Sequence, residues 1–300
     1  MSNRVYSNLK YIPTGMATSD ITKGCLVLEG GAFRGVYSQG VMDFFMQKGV
    51  NLECVIGVSA GAMGGVGYVS GQIGRSARIN LSQRHNPSFI GAKALLKSKS
   101  IINLDFALID YNRYDPLNEK RFYAANRRFV AVATNCLTGE PVYFEKDNCS
   151  DMMQAIKASA SMPYISPMVW VDGIPCLDGG CSDKIPYQWA LDQNYGKVVV
   201  IRTREREYRK PISSNHIAEK FYRKYPEFAE RLQESDAAYN RQCEELLNLE
   251  SAGRIFTIAP SEKVTVSRLE KDMEKLGSLY WMGYYDAHNL YTELAEYLYK

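Results

Sequence analysis

Residues 55–65 read Val-Ile-Gly-Val-Ser59-Ala-Gly-Ala-Met-Gly-Gly, a β-branched apolar run that breaks into Gly-x-Ser-x-Gly and then into small helix-compatible residues. This commits the chain to a strand, a tight turn and a helix, because a serine held on such a turn needs small neighbours, here Gly57 and Gly61. A serine presented in this way is a candidate nucleophile. Gly-x-Ser-x-Gly alone is a short and unspecific pattern. Two further segments give it weight: Leu26-Val-Leu-Glu29-Gly30-Gly31-Ala32-Phe33-Arg34-Gly35 upstream and Leu177-Asp178-Gly179-Gly180 downstream.

The surrounding periodicities place these motifs on alternating strands and helices. Residues 25–28 read as a strand, and the spacing of Val36, Val41, Phe44 and Phe45 predicts a helix over 34–48, stopped by Gly49. A second strand over 52–58 runs into Ser59, and 60–69 supplies a helix of small residues that can approach a sheet closely. Two parallel strands joined by a right-handed crossover follow. Strands at 128–135 and 141–144 pair through Leu137-Thr-Gly-Glu140, and 151–160 forms a helix. Strands at 168–171 and 174–177 flank the turn dipeptide Asp172-Gly173, which delivers Asp178 to a strand end. The β-branched run at 197–202 is expected to close the core sheet.

Residues 73–123 read as short helices and loops, with a turn at 103–106. The charge-dense Arg202-Thr-Arg-Glu-Arg-Glu-Tyr-Arg-Lys210 marks a change of composition. Beyond it the pattern predicts two helices within 215–250 interrupted at Pro226, a strand at 254–258, and helices at 267–275 and 282–299. The expected architecture is α/β: a three-layer α/β/α core over 21–202 and a mostly helical segment, 203–300, packed on it.

The three motifs, in this order, resemble the patatin-like phospholipases, whose members carry a glycine-rich oxyanion loop, a Gly-x-Ser-x-Gly elbow and an Asp-Gly-Gly or Asp-Gly-Ala. The resemblance runs from about Cys25 to Ile201, includes Ala158-Ser-Ala-Ser-Met-Pro163, and weakens beyond Arg202. It implies an α/β/α hydrolase that cleaves lipid or other fatty-acyl esters. Ser59 would be the nucleophile, Asp178 the base of a Ser–Asp dyad, and the amides of Gly30, Gly31 and Ala32 the oxyanion donors. Arg34, Gly35, Gly57, Gly61, Gly179 and Gly180 complete the motifs. Ala32 stands where the family usually has a third loop glycine, which matters only if the position needs a positive φ. Neither a metal nor an organic cofactor is implied.

Each residue also has a plainer role to weigh. Asp178 could be a turn residue, as Asp172 is read to be, although glycines at 179 and 180 after a strand fit the family motif. The glycine loop could cradle a phosphate, but its spacing is not Gly-x-Gly-x-x-Gly and no Gly-Lys-Ser/Thr follows. Arg34 could anchor the loop or meet an anionic head group. A Ser-Asp-His triad would run through His216 or His288, which satisfy the chain order of α/β-hydrolases, whereas His85 reads as a loop residue. A regulatory protein that keeps the fold and binds partners is a further alternative, against which an intact serine and aspartate argue.

Composition bounds the rest. With 46% hydrophobic residues the chain can bury a substantial core, and 36 basic against 33 acidic residues leave a net charge of +3, which gives no bulk electrostatic case for nucleic acid. Seven cysteines without Cys-x-x-Cys, and three scattered histidines, fit reduced thiols and no zinc site. The N-terminal residues lack a continuous apolar stretch and nothing reads as a membrane span, so a cytoplasmic location is expected. Peripheral membrane contact stays open without support, and the oligomeric state is not legible.

Overall fold

The β-branched runs assemble into one mixed sheet in the computed structural model, which describes residues 4–212 and 217–300. Its strands are β1 (Thr22–Leu28), β2 (Leu52–Val58), β3 (Arg128–Asn135), β4 (Pro141–Glu145), β5 (Val169–Val171), β6 (Ile174–Asp178), β7 (Val198–Ile201) and β8 (Phe256–Ile258). The order is β8-β7-β1-β2-β3-β6-β5, with β4 paired to β3. Strands β8, β7, β1, β2 and β3 are mutually parallel, while β4 and β6 run antiparallel to β3.

Both faces of the sheet are buried, as the near-continuous apolar sequence of its strands requires. Side chains alternate between faces along β1: Leu26 and Leu28 join the core that contains Phe44, Phe129 and Tyr280, whereas Cys25 and Val27 join the one that contains Tyr187, Tyr239 and Cys243. Helices α1 (Val36–Gln47), α2 (Ala60–Val69), α3 (Arg75–Gln83), α4 (Met152–Ser159) and α6 (Met273–Asn289) belong to the first layer, and α5 (Pro226–Ser251) to the second. The expected three-layer α/β/α arrangement is therefore observed. Helices α1 and α6 approach to backbone contact: a Cβ on Gly40 would lie 2.0 Å from the Tyr280 carbonyl oxygen, and one on Gly283 would lie 2.1 Å from that of Tyr37.

Four expectations differ from what is observed. Residues 282–299 are not a single helix but the end of α6 and a further helix, Tyr291–Tyr299. The 197–202 run does not close the sheet, because β8 pairs along its outer edge and satisfies a strand that is buried throughout. Residues 267–272 are not helical; α6 starts at Met273, where the Asp272 carboxylate accepts hydrogen bonds from the Glu274 and Lys275 amides. The turn expected at 103–106 is instead the entry to a short helix, Leu104–Leu108. Pro226 is the first residue of α5, where its missing N–H costs nothing. Among the described residues no helix is long and apolar enough to cross a membrane.

Candidate active site

Ser59 follows β2 and precedes α2 with φ 54° and ψ −117°, a conformation disfavoured for any residue with a Cβ and worth roughly 1–3 kcal/mol of strain. Its surroundings enforce it. A Cβ on Gly57 would lie 2.6 Å from the Ala62 nitrogen, and one on Gly61 would lie 2.5 Å from the Leu28 carbonyl oxygen, so only glycines let the strand and helix meet this closely. The Ser59 N–H donates to Ser159 Oγ over 2.8 Å. Sequence reasoning missed that role for Ser159; its signal was the small-residue stretch at 158–163.

Asp178 reaches Ser59 through strand register. Strand β2 runs parallel to β3 and β6 runs antiparallel to it, with Val58 opposite Val132 and Asp178 opposite Ala133. The C-terminal ends of β2 and β6 thus meet at adjacent positions along β3. Gly179 makes the approach fit, since a Cβ there would sit 2.1 Å from the Val132 carbonyl oxygen. The Ser59 hydroxyl donates to Asp178 Oδ2 at 2.8 Å, and the Gly180 N–H donates to Oδ1 at 2.8 Å. The Asp178 N–H donates to the Ser161 carbonyl at 2.8 Å, and the Thr134 hydroxyl donates to the Asp178 carbonyl at 2.9 Å.

Ser59 is 7% exposed and Asp178 8%. Burial raises the Asp178 carboxyl above its ordinary range, opposed by the Ser59 and Gly180 hydrogen bonds and by the Lys184 and Arg268 charges. Lys184 is itself lowered to about 7, by burial first and then by Lys210.

The glycine loop lies directly over this pair. A Cβ on Gly30 would sit 3.2 Å from Ser59 Cβ, and Gly35 packs on Ala60, where a Cβ would be 2.7 Å from the alanine's own. Thr203 fastens the loop: its N–H donates to Glu29 Oε2 at 2.6 Å and its hydroxyl to the Gly30 carbonyl at 3.0 Å. Among the described residues, none accepts a hydrogen bond from the amides of Gly30, Gly31 or Ala32. Ala32 has φ 49°, so the position at which the sequence departs from the family pattern does take a left-handed conformation.

The remaining candidates lie elsewhere or play other parts. Asp172 sits in the β5–β6 turn at φ 49°, followed by Gly173 at φ 79°, and contacts Ser150. His288 packs edge-on against Phe44 at 5.6 Å, and His85 Nε2 is 2.8 Å from the Lys271 carbonyl oxygen. His216 lies outside the described residues. Among the described residues, no cluster of His, Cys, Asp or Glu could hold a metal ion.

Two cavities meet at Ser59. One is largely apolar and lined by residues including Met63, Val66, Ile79, Phe89, Leu108 and Met153. The other is a cleft richer in polar groups that contains Asp178, Arg34, Lys184, Arg204 and Arg268. Ser59, Ala32 and Met162 border both. A chain-like apolar group and a polar one could therefore flank the serine at the same time.

Comparison with known proteins gives two family matches. A model described as patatin-like phospholipase matches residues 26–191, and one described as a domain of unknown function matches residues 225–299. An uncharacterized protein of Escherichia coli, YjjU, is 31% identical over 185 residues, which are 59% of this chain and 51% of that protein. An uncharacterized NTE family protein of Mycobacterium tuberculosis is 27% identical over 168 residues, 54% of this chain and 43% of its own length. The chain thus aligns with about half the length of these curated relatives. The crystal structure of VipD from Legionella pneumophila superposes with a TM-score of 0.48 at 12% identity, covering 96% of this chain and 73% of that one.

Proposed function

The chain belongs to the patatin-like phospholipase family, and on that footing we propose that it is a serine hydrolase of lipid or other fatty-acyl esters, with Ser59 as nucleophile and Asp178 as base. The observation that carries this reading is the 2.8 Å hydrogen bond from the Ser59 hydroxyl to Asp178 Oδ2, made where a largely apolar cavity meets a cleft richer in polar groups.

The chemistry runs in two halves. Ser59 Oγ attacks the ester carbonyl carbon while its proton passes to Asp178 Oδ2, and the carbonyl oxygen becomes an oxyanion. The amides of Gly30, Gly31 and Ala32, which no other described residue engages, are the proposed donors to it. Collapse expels the alcohol, which takes the proton from Asp178, and leaves the acyl group on Ser59. Water then gives a proton to Asp178 and attacks the acyl carbon. Expulsion of Ser59, reprotonated by Asp178, releases the acid. A carboxyl raised by burial suits both transfers, because a base works best with a pKa near the operating pH.

Residues 21–202 are proposed as the catalytic domain, with 203–300 packed on it. A Ser-Asp-His relay through His288 finds no support, since that ring rests on Phe44. The test is labelling by a fluorophosphonate probe together with hydrolysis of p-nitrophenyl butyrate. Labelling and turnover abolished by Ser59→Ala are expected; a folded wild type that neither labels nor hydrolyses would move the reading to a partner-binding protein.

A further inference from the structure

Gln39 is a polar residue in a largely apolar wall. It lies on α1, is 4% exposed, and lines the cavity at Ser59 together with Met63, Val66 and Ile79. Its Oε1 is buried and accepts no hydrogen bond from any described residue. The other polar side chains of this wall are engaged. Ser59 donates to Asp178, Arg75 to the Asp115 carbonyl at 3.1 Å and to Asn112 Oδ1 at 2.7 Å, Ser76 to the Gly64 carbonyl at 3.2 Å, and Asn80 to the Ser76 carbonyl at 3.4 Å. A buried amide oxygen that no donor reaches weakens a fold, so a glutamine at this position calls for a partner that the chain itself does not supply.

Helix packing sets the depth of this amide. At the N-terminal ends of α1 and α2 Gly35 opposes Ala60, where an added Cβ would lie 2.7 Å from that of Ala60. One turn further along both helices Gly64 opposes Gln39, and a Cβ on Gly64 would lie 3.7 Å from Gln39 Cγ and 3.9 Å from its Nε2. Four helical residues rise about 6 Å, so the amide stands about 6 Å beyond the serine, measured along α2. An acyl chain attached to Ser59 and extended into the cavity passes beside it.

We propose that Gln39 is a specificity-determining residue for the acyl group: its amide pairs with a hydroxyl carried on the chain, so that the enzyme prefers acyl esters hydroxylated along the chain to their unsubstituted counterparts. The inference rests on the acyl-hydrolase reading above. A hydroxyl both donates and accepts, so it can satisfy the buried Oε1 and accept from the amide N–H. An unsubstituted chain leaves that oxygen unpaired against hydrocarbon. A site built to bond a substrate hydroxyl discriminates strongly against the analogue that lacks it, because its own polar group is then stranded. The hydroxyl is bound and takes no part in the acyl transfer.

The test compares kcat/KM for the p-nitrophenyl esters of octanoate and 7-hydroxyoctanoate, whose hydroxyl falls at about the depth of the amide. It uses wild type and Gln39→Met, an unbranched substitution of nearly the same shape. In wild type the hydroxylated ester is expected to be the better substrate by about tenfold or more. In Gln39→Met the order should reverse, since the hydroxyl then meets an apolar wall. A ratio taken within one protein cancels any general loss of activity, and the wild-type ratio needs no variant to fold. Octanoate hydrolysed as fast as 7-hydroxyoctanoate, or faster, by wild type would overturn the proposal and leave the hydrolase reading intact. A wild-type preference that survives unchanged in Gln39→Met would also overturn it, because the hydroxyl would then have its partner elsewhere. Ser59-dependent hydrolysis of neither ester would overturn both readings.

Discussion

Ser59 and Asp178 terminate two strands that converge along one side of β3, and the 2.8 Å hydrogen bond between them is set by sheet register, not by a loop. A pair fixed this way needs no third residue to orient it. Ser59→Ala and Asp178→Asn are each expected to lower kcat on p-nitrophenyl butyrate by about 10³-fold or more, with both proteins folded. Asp172→Asn and His288→Ala, remote from the pair, are expected to stay within about twofold of wild type. Loss of activity in the histidine variant would redirect the mechanism to a triad.

Burial of Asp178 predicts a pH signature in both rate and stability. Its carboxyl is raised in the folded protein, so the acid limb of kcat/KM should lie above the ordinary aspartate range, measured from about pH 3.5 to 8. The stability effect has a definite sign. As pH rises past the ordinary value of 3.8, the unfolded chain loses this proton before the folded one, and folding is progressively disfavoured until Asp178 ionises in both states. Asp178→Asn removes that penalty while keeping an oxygen to accept from the Gly180 amide. It should therefore raise Tm at pH 7, with the gain shrinking toward about pH 4; a Tm below wild type at neutral pH would contradict this account.

Much of the site was legible because its chemistry sits on short contiguous motifs. The strand before Ser59, the helix after it, and the turn that delivers Asp178 each follow from local glycine placement and β-branched runs. The second half of the chain was harder to read. Strand β8 was legible at 254–258, but its pairing along the outer edge of β7 is a tertiary arrangement that those residues alone do not specify. The Ser159 hydroxyl that holds the Ser59 amide, and the arginines at 204 and 268, reach the cleft through contacts between segments distant in sequence. Their residue types carry no local signal of that placement.

Ala32 bears on the oxyanion loop. At φ 49° its methyl group is tolerated, although the left-handed region costs an alanine roughly 1 kcal/mol. Ala32→Gly should therefore keep kcat within about twofold and not lower the unfolding free energy by more than the chain-entropy cost of a glycine, on the order of 1 kcal/mol. Ala32→Val places a β-branched residue where such residues are genuine outliers, and should cut kcat by about 10²-fold with a smaller effect on KM. Equal activity in both variants would separate the loop's amides from the rate.

The interface between α1 and α6 carries a second buried carboxyl, and it makes the fold itself sensitive to pH. Two reciprocal bonds tie the helices: the Tyr280 hydroxyl donates to Asp43 Oδ2 at 2.8 Å, and the Tyr37 hydroxyl donates to Asp286 Oδ2 at 2.9 Å. Asp43 Oδ1 accepts from the Gly74 amide at 2.8 Å, and Arg78, itself paired with Asp115 at 2.7 Å, is the cation that acts on it. Burial outweighs all three and pushes Asp43 up to about 7. Between the ordinary 3.8 and about 7 the unfolded chain sheds this proton first, so wild-type Tm should decline as pH rises through that window and level off above it. Asp43→Asn should flatten the decline and be the more stable protein above about pH 7, by on the order of 1–3 kcal/mol in urea unfolding. Because Asp43, on the buried face of α1, is not among the residues that line the cavities at Ser59, ester hydrolysis at about pH 8 should be unchanged within about twofold.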